Sequence, residues 1–271
     1  MPDRYCVFGN PVKHSLSPRI HGRFARECGQ TLEYTARECP VDDFATCAMA
    51  FHAQGGMGAN VTLPFKEDAY RLVEAHTQRA RMAGAVNTLI RTPTGWLGDN
   101  TDGAGLMADL ERLRFPVRSK RILILGAGGA VRGILHPLLA QHPEHIHIAN
   151  RTPERAARLA GNFRGPLSSS GLDGLDTLPP FDLILHGVSA AHSGQLPRYP
   201  AGLVTDTTRC YDLSYGQAAR PFLRWAEQAG AFKVADGLGM LVEQAAEAFR
   251  LWRGVRPQTG AVLADLRTLD L

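Results

Sequence analysis

The stretch from Arg121 to Ala130 restricts the possible folds of this chain more than any other. Its apolar run, Ile122–Leu125, has the length of a buried strand and ends in a cluster that holds Gly126, Gly128 and Gly129. Such a run is typical of a parallel strand that turns into a helix whose first amides are free for a phosphate. Glycine accepts positive φ and lets a pyrophosphate approach the backbone. The stretch therefore predicts an α/β fold with a nucleotide-binding turn, although a plain connector can show the same pattern.

The next apolar run, Ile146–Ala149, ends in basic residues where an NAD-binding unit usually carries a carboxylate that holds the ribose 2′-hydroxyl. Arg151 and Arg155 follow this predicted strand, and a guanidinium there suits a 2′-phosphate, which it can bind in bidentate fashion. Thr152 is a predicted helix N-cap, so the amides of that helix would face the same anion. The pattern predicts an NADP site; the alternative is an ordinary capped helix with solvated arginines.

Composition limits the class of protein. The chain has 271 residues, with 44% hydrophobic and 21% charged residues, which indicates a soluble globular protein of about two domains. Its net charge is +4 and its basic residues are scattered, so nucleic-acid binding is not expected. The sequence has no apolar run of about 18 residues and no secretory signal pattern, so no membrane association is expected. The five cysteines form no CxxC pair and indicate a reduced, cytoplasmic protein.

The first part of the chain places polar side chains at predicted helix starts. Ser15 and Ser17 stand at the start of a predicted helix, with Ser17 as N-cap, where two hydroxyls suit a carboxylate ligand. Lys66 follows a predicted strand and begins a helix, a place the helix dipole disfavours for a cation. This makes Lys66 a site candidate, against the common alternative of a solvated lysine. Asp102, taken alone, is a predicted N-cap.

The remaining elements predict how the domains are divided. Strands are expected near residues 182–186, 203–206 and 232–235, whereas Ser168–Gly171 is expected to be a surface loop. Residues 1–103 form a predicted α/β domain without a nucleotide fingerprint, and residues 104–239 form a Rossmann-like domain. Helices within residues 240–271 would return to complete the first domain, so a ligand cleft is expected between the two.

Several short motifs occur in a specific order along nearly the whole chain. They are Ser15–Pro18, Asn60–Lys66, Gly84–Thr88, Asp99–Gly103, Gly126–Ala130, Asn150–Thr152 and Asp236–Val242 with Gln244. With these motifs the chain resembles the shikimate dehydrogenase family. The resemblance implies an N-terminal substrate-binding domain, a C-terminal Rossmann-like NADP-binding domain, and an active site in the interdomain cleft. It also implies the reversible NADPH-dependent reduction of 3-dehydroshikimate to shikimate, in the route to chorismate and the aromatic amino acids.

The resemblance further implies residue roles. Lys66 and Asp102 would be the catalytic pair. The substrate would be held by Ser15, Ser17, Asn60, Thr62, Asn87, Tyr215 and Gln244. NADP would be held by Gly126, Ala127, Gly128, Gly129, Ala130, Asn150, Arg151, Thr152 and Arg155, with Leu213, Gly237 and Met240 near the nicotinamide. The expected partners are small molecules only, and the resemblance leaves open a monomer or a homodimer.

The residue chemistry suits this assignment independently. Serine, threonine and amide side chains can bind the carboxylate and hydroxyls of shikimate. When hydride reaches the C3 carbonyl carbon, the oxygen gains negative charge that an ammonium can stabilise, and the ammonium can also supply the proton. Whether Lys66 or Asp102 gives up that proton is left open. No metal is required, and the sequence shows no metal-ligand spacing.

The chain departs from the family pattern on the cofactor side. It reads His186-Gly187-Val188-Ser189 where the family usually reads Asn-Ala-Thr-Ser, and Leu213 stands where methionine is common. These differences predict weakened or altered NADP binding, with His186 as a packing residue. One alternative is a quinate/shikimate dehydrogenase that uses NAD; another is a non-catalytic NADP-binding sensor. The presence of both Lys66 and Asp102 argues against a pure binder.

Overall fold

The structure is a computed structural model that describes residues 2–188 and 196–270. The chain divides into two compact units. Unit 1 comprises Met1–Gly105 and Leu241–Thr268, and unit 2 comprises Leu106–Met240 and Leu269–Leu271. The division falls inside two helices, α5 (Asp102–Leu113) and α9 (Leu238–Arg253).

Unit 1 is built on a mixed six-stranded sheet of order β2-β1-β3-β5-β6-β4. Its strands are β1 (Asp3–Gly9), β2 (Leu32–Glu38), β3 (Gly56–Val61), β4 (Ala75–His76), β5 (Thr88–Arg91) and β6 (Trp96–Asp99). The helices are α1 (Ser17–Glu27), α2 (Phe44–Ala53), α3 (Lys66–Leu72), α4 (Gln78–Ala83) and α10 (Gly260–Leu266). Unit 1 also contains the first turn of α5 and the part of α9 that begins at Leu241. Strand β1 pairs in parallel with β2 and β3, whereas β5 pairs antiparallel with β3 and β6.

Strand β1 is buried on both faces because its side chains alternate between two apolar clusters. Cys6 and Phe8 pack with the aromatic rings of α2, whereas Tyr5 and Val7 pack with Tyr34 on the opposite face. The polar residues that follow β1 and β3 therefore come out at one edge of a firmly packed sheet.

Unit 2 is a parallel six-stranded sheet of order β12-β11-β10-β7-β8-β9. Its strands are β7 (Arg121–Leu125), β8 (His145–Ala149), β9 (Leu167–Ser170), β10 (Leu183–His186), β11 (Arg209–Asp212) and β12 (Lys233–Ala235). Its helices are α6 (Gly129–Leu139), α7 (Pro153–Gly161) and α8 (Arg220–Gln228), with short 3-10 helices at Leu172–Thr177, Ala201–Leu203 and Gly216–Ala218. This strand order is that of a Rossmann fold, in which the order of strand addition reverses between β7 and β10 while all strands stay parallel. The predicted α/β class with a Rossmann-like second domain is confirmed.

The apolar run that predicted β7 is apolar throughout because helices cover both faces of this sheet. Ile122 and Ile124 belong to one core cluster and Leu123 and Leu125 to the other. The side chains of Ile122–Leu125 are completely buried, so the strand end that bears Gly126 is rigidly placed.

Two sequence-based expectations about unit 2 are wrong. The strand expected at residues 203–206 is absent there: Leu203 ends a 3-10 helix, and the strand is Arg209–Asp212. Leu203 is nonetheless fully buried, which explains the misleading apolar signal. The loop expected at Ser168–Gly171 is instead part of the edge strand β9 up to Ser170. Serine hydroxyls of this strand form hydrogen bonds with histidine rings of β8.

Helix α1 starts one residue earlier than expected. Leu16, not Ser17, occupies the N-cap, and the Ser15 hydroxyl accepts a hydrogen bond from the Ser17 amide at 3.2 Å. Across the described part of the chain, no helix combines the length and the apolar character needed to cross a membrane.

Candidate active site

Lys66 and Asp102 form an ion pair in unit 1. Lys66 is the first residue of α3 and Asp102 the first residue of α5. The Lys66 Nζ donates to Asp102 Oδ2 at 2.5 Å, and the two side chains are 13% and 6% exposed. A nearly buried pair of this kind depends on further hydrogen bonds to the charged groups. An ammonium has three donor hydrogens, so Lys66 can also donate to a substrate oxygen.

Asn87 contacts the second oxygen of the Asp102 carboxylate, and Gln244 contacts Asn87. Asn87 Nδ2 donates to Asp102 Oδ1 at 2.8 Å, so each carboxylate oxygen of Asp102 accepts a hydrogen bond. Asn87 Oδ1 accepts from the Thr101 amide at 2.8 Å, which orients the Asn87 amide group. Gln244 Oε1, on α9, lies within 3.3 Å of Asn87 Nδ2 and 3.2 Å of Thr101 Oγ1. Four predicted site residues are therefore linked one to the next by direct side-chain contacts, in the order Lys66, Asp102, Asn87 and Gln244.

Asn60 joins the same network from β3. Its Nδ2 lies 3.3 Å from both the Asn87 carbonyl oxygen and Thr88 Oγ1, and its Oδ1 accepts from the Tyr34 hydroxyl at 2.7 Å. Sequence reasoning missed Tyr34 and Thr88. Strand alternation indicates that Tyr34 is buried, but no local signal connects β2 with β3, which lie on either side of β1.

Arg79 binds two acidic residues that flank this network, Asp99 and Glu247. Arg79 makes a bidentate contact with Asp99, at 2.6 and 2.8 Å, and a further one with Glu247 on α9 at 2.9 Å. The hydrogen bond from Arg250, aided by the one from Arg79, lowers the pKa of Glu247 to about 2 against the opposing effect of burial. Asp99 immediately precedes the turn that leads to Asp102, and Glu247 lies one helical turn beyond Gln244. By holding Asp99 and Glu247, Arg79 therefore fixes the chain segments that carry the site residues Asp102 and Gln244.

The remaining predicted substrate residues occupy different places. Ser17 is buried and Ser15 is half-buried at the start of α1, and Thr62 is half-buried just after β3. Ser17 also contacts the Tyr34 hydroxyl, which links α1 to Asn60. Tyr215 belongs to unit 2, where it follows β11, and burial raises the pKa of its hydroxyl.

The glycine turn of unit 2 has the form of a phosphate-binding turn. Gly126 has φ of +115°, and a Cβ there would lie 2.7 Å from the Gly187 carbonyl oxygen, so only glycine fits. Gly128 is the N-cap of α6 and Gly129 its first residue, with no side chain capping the helix. Together with Ala127 and Ala130, these residues leave the first amides of α6 available to a pyrophosphate. The turn lies where the order of the strands in the sheet reverses, which is the usual place for such a ligand.

The residues after β8 carry the expected basic groups. Arg151, Thr152 and Arg155 are exposed around the start of α7. Thr152 is the N-cap of α7, but its hydroxyl makes no capping hydrogen bond, so an incoming anion could use the same amides. Asn150 Nδ2 donates to the Thr152 carbonyl oxygen at 2.9 Å, which shapes this turn.

Two of the residues expected near the nicotinamide, Leu213 and Gly237, contact each other just after β11 and β12, and the third, Met240, lies in the first turn of α9. Leu213 and Met240 pack against the same core cluster. Gly237 lies directly against the Leu213 carbonyl oxygen, where a Cβ would clash, and its amide donates to the Ser214 carbonyl oxygen at 2.7 Å. The tight turn therefore explains why residue 237 is glycine.

His186 lies buried at the end of β10. Its Nδ1 is 2.8 Å from Asp212 Oδ2 on β11, and its ring stacks on Phe222 with a centroid separation of 4.4 Å. Asp212 Oδ1 also accepts from the Ser214 amide at 2.8 Å, so the pair shapes the turn next to Leu213. Ser189, the last residue of the departing motif, lies outside the described residues.

A Rossmann strand order, a glycine turn followed by a helix without a side-chain cap, and a nearly buried lysine–carboxylate pair are together typical of a dinucleotide-dependent oxidoreductase. Comparison with known proteins makes the assignment specific. Family models match three stretches: "Shikimate dehydrogenase substrate binding domain" at residues 7–89, "Shikimate / quinate 5-dehydrogenase" at 109–194, and "Shikimate 5'-dehydrogenase C-terminal domain" at 237–267.

Individual relatives match almost end to end. The chain is 54% identical over 97% of its length to Shikimate dehydrogenase (NADP(+)) of Alcanivorax borkumensis, of which 96% is covered. Among solved structures, an Ael1 enzyme from Pseudomonas putida has a TM-score of 0.89 and 44% identity, covering 97% of this chain and 98% of that one. Shikimate 5-dehydrogenase from Thermus thermophilus in complex with NADP(H) and shikimate has a TM-score of 0.85 and 32% identity, with 98% of each chain covered. The chain belongs to the shikimate dehydrogenase family.

Proposed function

We propose that this protein catalyses the reversible, NADPH-dependent reduction of 3-dehydroshikimate to shikimate. The observation that carries the proposal is the nearly buried Lys66–Asp102 pair, held at 2.5 Å and hydrogen-bonded to Asn87, in a chain of the shikimate dehydrogenase family. A protein that only bound its ligand would have no use for an acid–base pair of this kind. The reaction belongs to the route to chorismate and the aromatic amino acids.

Each of the two units binds a different molecule in this proposal. Unit 1 is the substrate-binding domain and unit 2 the NADP-binding domain. Shikimate would be held by hydroxyl and amide groups: Ser15, Ser17, Asn60, Thr62, Asn87, Tyr215 and Gln244. The two serines suit the substrate carboxylate, because they stand at the start of α1, where the helix dipole favours an anion.

The chemistry of the carbonyl group follows from the ion pair. NADPH, when bound, supplies the hydride. Lys66 places an ammonium beside the carbonyl oxygen and stabilises the negative charge that develops there. Asp102 accepts from Lys66 and from Asn87, so it holds the ammonium in one orientation and can act with it in moving the proton to that oxygen.

The cofactor site fits NADP. The Gly126–Ala130 turn would receive the pyrophosphate, and Asn150, Arg151, Thr152 and Arg155 would surround the 2′-phosphate. Leu213, Gly237 and Met240 would lie along the nicotinamide. We also propose that the protein works in the cytoplasm as a monomer or homodimer; its five free cysteines fit a reducing compartment.

The direct test is an assay in which the absorbance of the reduced nicotinamide is measured as it forms. We expect turnover with shikimate and NADP⁺, and much slower turnover with quinate and NAD⁺. Rapid turnover of quinate with NAD⁺ would instead identify a quinate/shikimate dehydrogenase. Tight NADP⁺ binding without turnover of either substrate would identify a non-catalytic sensor and refute the proposal.

Replacing Arg151 tests how the 2′-phosphate is read. We expect Arg151→Ala to lower kcat/KM for NADPH by about 10- to 100-fold, because charge-assisted hydrogen bonds are worth about 1.5–3 kcal/mol. The value for NADH should stay within about twofold, since NADH lacks the phosphate. Arg158→Ala is a matched control, because Arg158 is an exposed arginine on α7, the helix that begins just after Arg151. An unchanged preference for NADPH would mean that the phosphate is read elsewhere.

A further inference from the structure

A continuous series of buried hydrogen bonds leads from Tyr34 to the Asp102 carboxylate within unit 1. The Tyr34 hydroxyl donates to Asn60 Oδ1 at 2.7 Å, and Asn60 Nδ2 donates to Thr88 Oγ1 at 3.3 Å. Thr88 Oγ1 donates to Asn87 Oδ1 at 2.8 Å, and Asn87 Nδ2 donates to Asp102 Oδ1 at 2.8 Å. Every one of these residues is at most 9% exposed. Water therefore has little access to replace any of these hydrogen bonds.

From Tyr34 onward the series has one direction; the Tyr34 oxygen is itself in contact with Ser17 at the start of α1. Burial raises the pKa of Tyr34 well above its usual value, so the phenol keeps the single hydrogen that it donates to Asn60. This bond turns the oxygen of the Asn60 amide toward Tyr34 and its NH₂ group toward Thr88. A threonine hydroxyl also has one hydrogen, so Thr88, accepting from Asn60, donates to Asn87. Each donor thus strengthens the next, up to Asp102.

The Tyr34 ring is held in place by its neighbours. The His21 imidazole stacks on it with a centroid separation of 4.3 Å and an interplanar angle of 6°. Burial lowers the pKa of His21 to about 3, so this ring is neutral at physiological pH and adds no charge beside the phenol. The stacked imidazole therefore fixes the plane of the Tyr34 ring, and with it the direction of the Tyr34 hydroxyl toward Asn60.

We propose that Tyr34 is a positioning residue for Asp102, acting through the Asn60–Thr88–Asn87 series rather than by touching the substrate. The proposal rests on the role assigned to Asp102 in the proposed function. Removing the Tyr34 hydroxyl would take from Asn60 Oδ1 the donor that lies 2.7 Å away. The Asn60 amide would then be free to turn its oxygen toward Thr88, which would draw the Thr88 hydrogen away from Asn87. Asp102 would lose part of the support that keeps it aligned with Lys66.

Tyr34→Phe removes only this hydroxyl and keeps the ring stacked on His21. We expect kcat for shikimate to fall about five- to tenfold, the size of effect that one hydrogen bond produces. KM for NADP⁺ should stay within about twofold, because the series does not include the cofactor residues. Tyr5→Phe is a matched control: Tyr5 is the register partner of Tyr34 on the adjacent strand, and its hydroxyl accepts from Arg253 at 3.3 Å. The control should keep wild-type kcat.

A double-mutant cycle with Thr88→Val tests whether the effect passes along the series. If Tyr34 acts through Thr88, the double variant should be no slower than the slower single variant, within about twofold. Unchanged kcat in Tyr34→Phe, an equal loss in Tyr5→Phe, additive losses in the cycle, or a change confined to KM for shikimate would each overturn the proposal. Asp102→Asn, assayed alongside, separates two failures. Full activity in that variant would remove the proposed role of Asp102 itself, whereas lost activity there with an unaffected Tyr34→Phe would remove only the positioning role.

Discussion

Lys66→Ala is expected to lower kcat by about 10²- to 10⁴-fold, or about 3–5 kcal/mol of transition-state stabilisation, with a much smaller change in KM. The charge on the substrate oxygen develops only as hydride is transferred, so the ammonium stabilises the transition state more than it stabilises bound shikimate. Steady-state kinetics with shikimate and NADP⁺ measure both constants directly.

The removal of Lys66 also leaves the nearly buried Asp102 carboxylate without its cation, which could destabilise the fold. Lys66→Met keeps most of the side-chain volume, and thermal unfolding of both variants shows whether they remain folded. Lys120→Ala is the matched control, because Lys120 pairs with Asp182 at 3.0 Å just before β7, at the opposite end of that strand from the glycine turn. Near-normal turnover of folded Lys66→Ala would remove this lysine from the mechanism.

Asp102→Asn is expected to lower kcat by about 10- to 100-fold, again with a smaller change in KM. The substitution preserves shape but removes the charge that orients the Lys66 ammonium. It also places a neutral amide opposite the Asn87 NH₂ group, and only one of the two orientations of that new amide accepts the Asn87 hydrogen bond. Both effects should disturb the alignment of Lys66 with the substrate oxygen.

Asp182→Asn is the control for this substitution, since Asp182 accepts from both the Lys120 ammonium and the Arg121 amide. It should leave turnover on shikimate unchanged. If Asp102→Asn turned over shikimate as fast as the wild-type protein, an ammonium alone would be sufficient for catalysis, and the ion pair would have no catalytic role.

The best-predicted parts of the fold are those whose signal is local. The Ile122–Leu125 run and the glycines after it predicted β7, the turn and α6, since a strand buried on both faces must be apolar throughout. Helices were also expected to start at Lys66 and at Asp102, and these are the first residues of α3 and α5. Asp102 was expected as the N-cap, however, and lies inside the helix as its first residue.

The least predictable parts are those whose structure depends on distant partners. Leu203 and Val204 are apolar because they cover the core, not because they form a strand. The strand Arg209–Asp212 takes its place because its backbone pairs with Leu183–His186. Strand β9, which contains three serines, has little strand propensity. It forms beside β8, where Ser168 Oγ lies 2.6 and 2.7 Å from nitrogens of His145 and His147.

The chemical groups of the site could thus be named from local motifs and from family resemblance, because residue type and helix or strand position are encoded over a few neighbouring residues. The contacts between these groups could not be predicted in this way. The 2.5 Å pairing of Lys66 with Asp102 and the hydrogen bond from Tyr34 to Asn60 join residues 36 and 26 positions apart. Whether residues so far apart in sequence meet in space is determined by strand order and register. Both depend on the packing of the whole sheet rather than on any short stretch of chain.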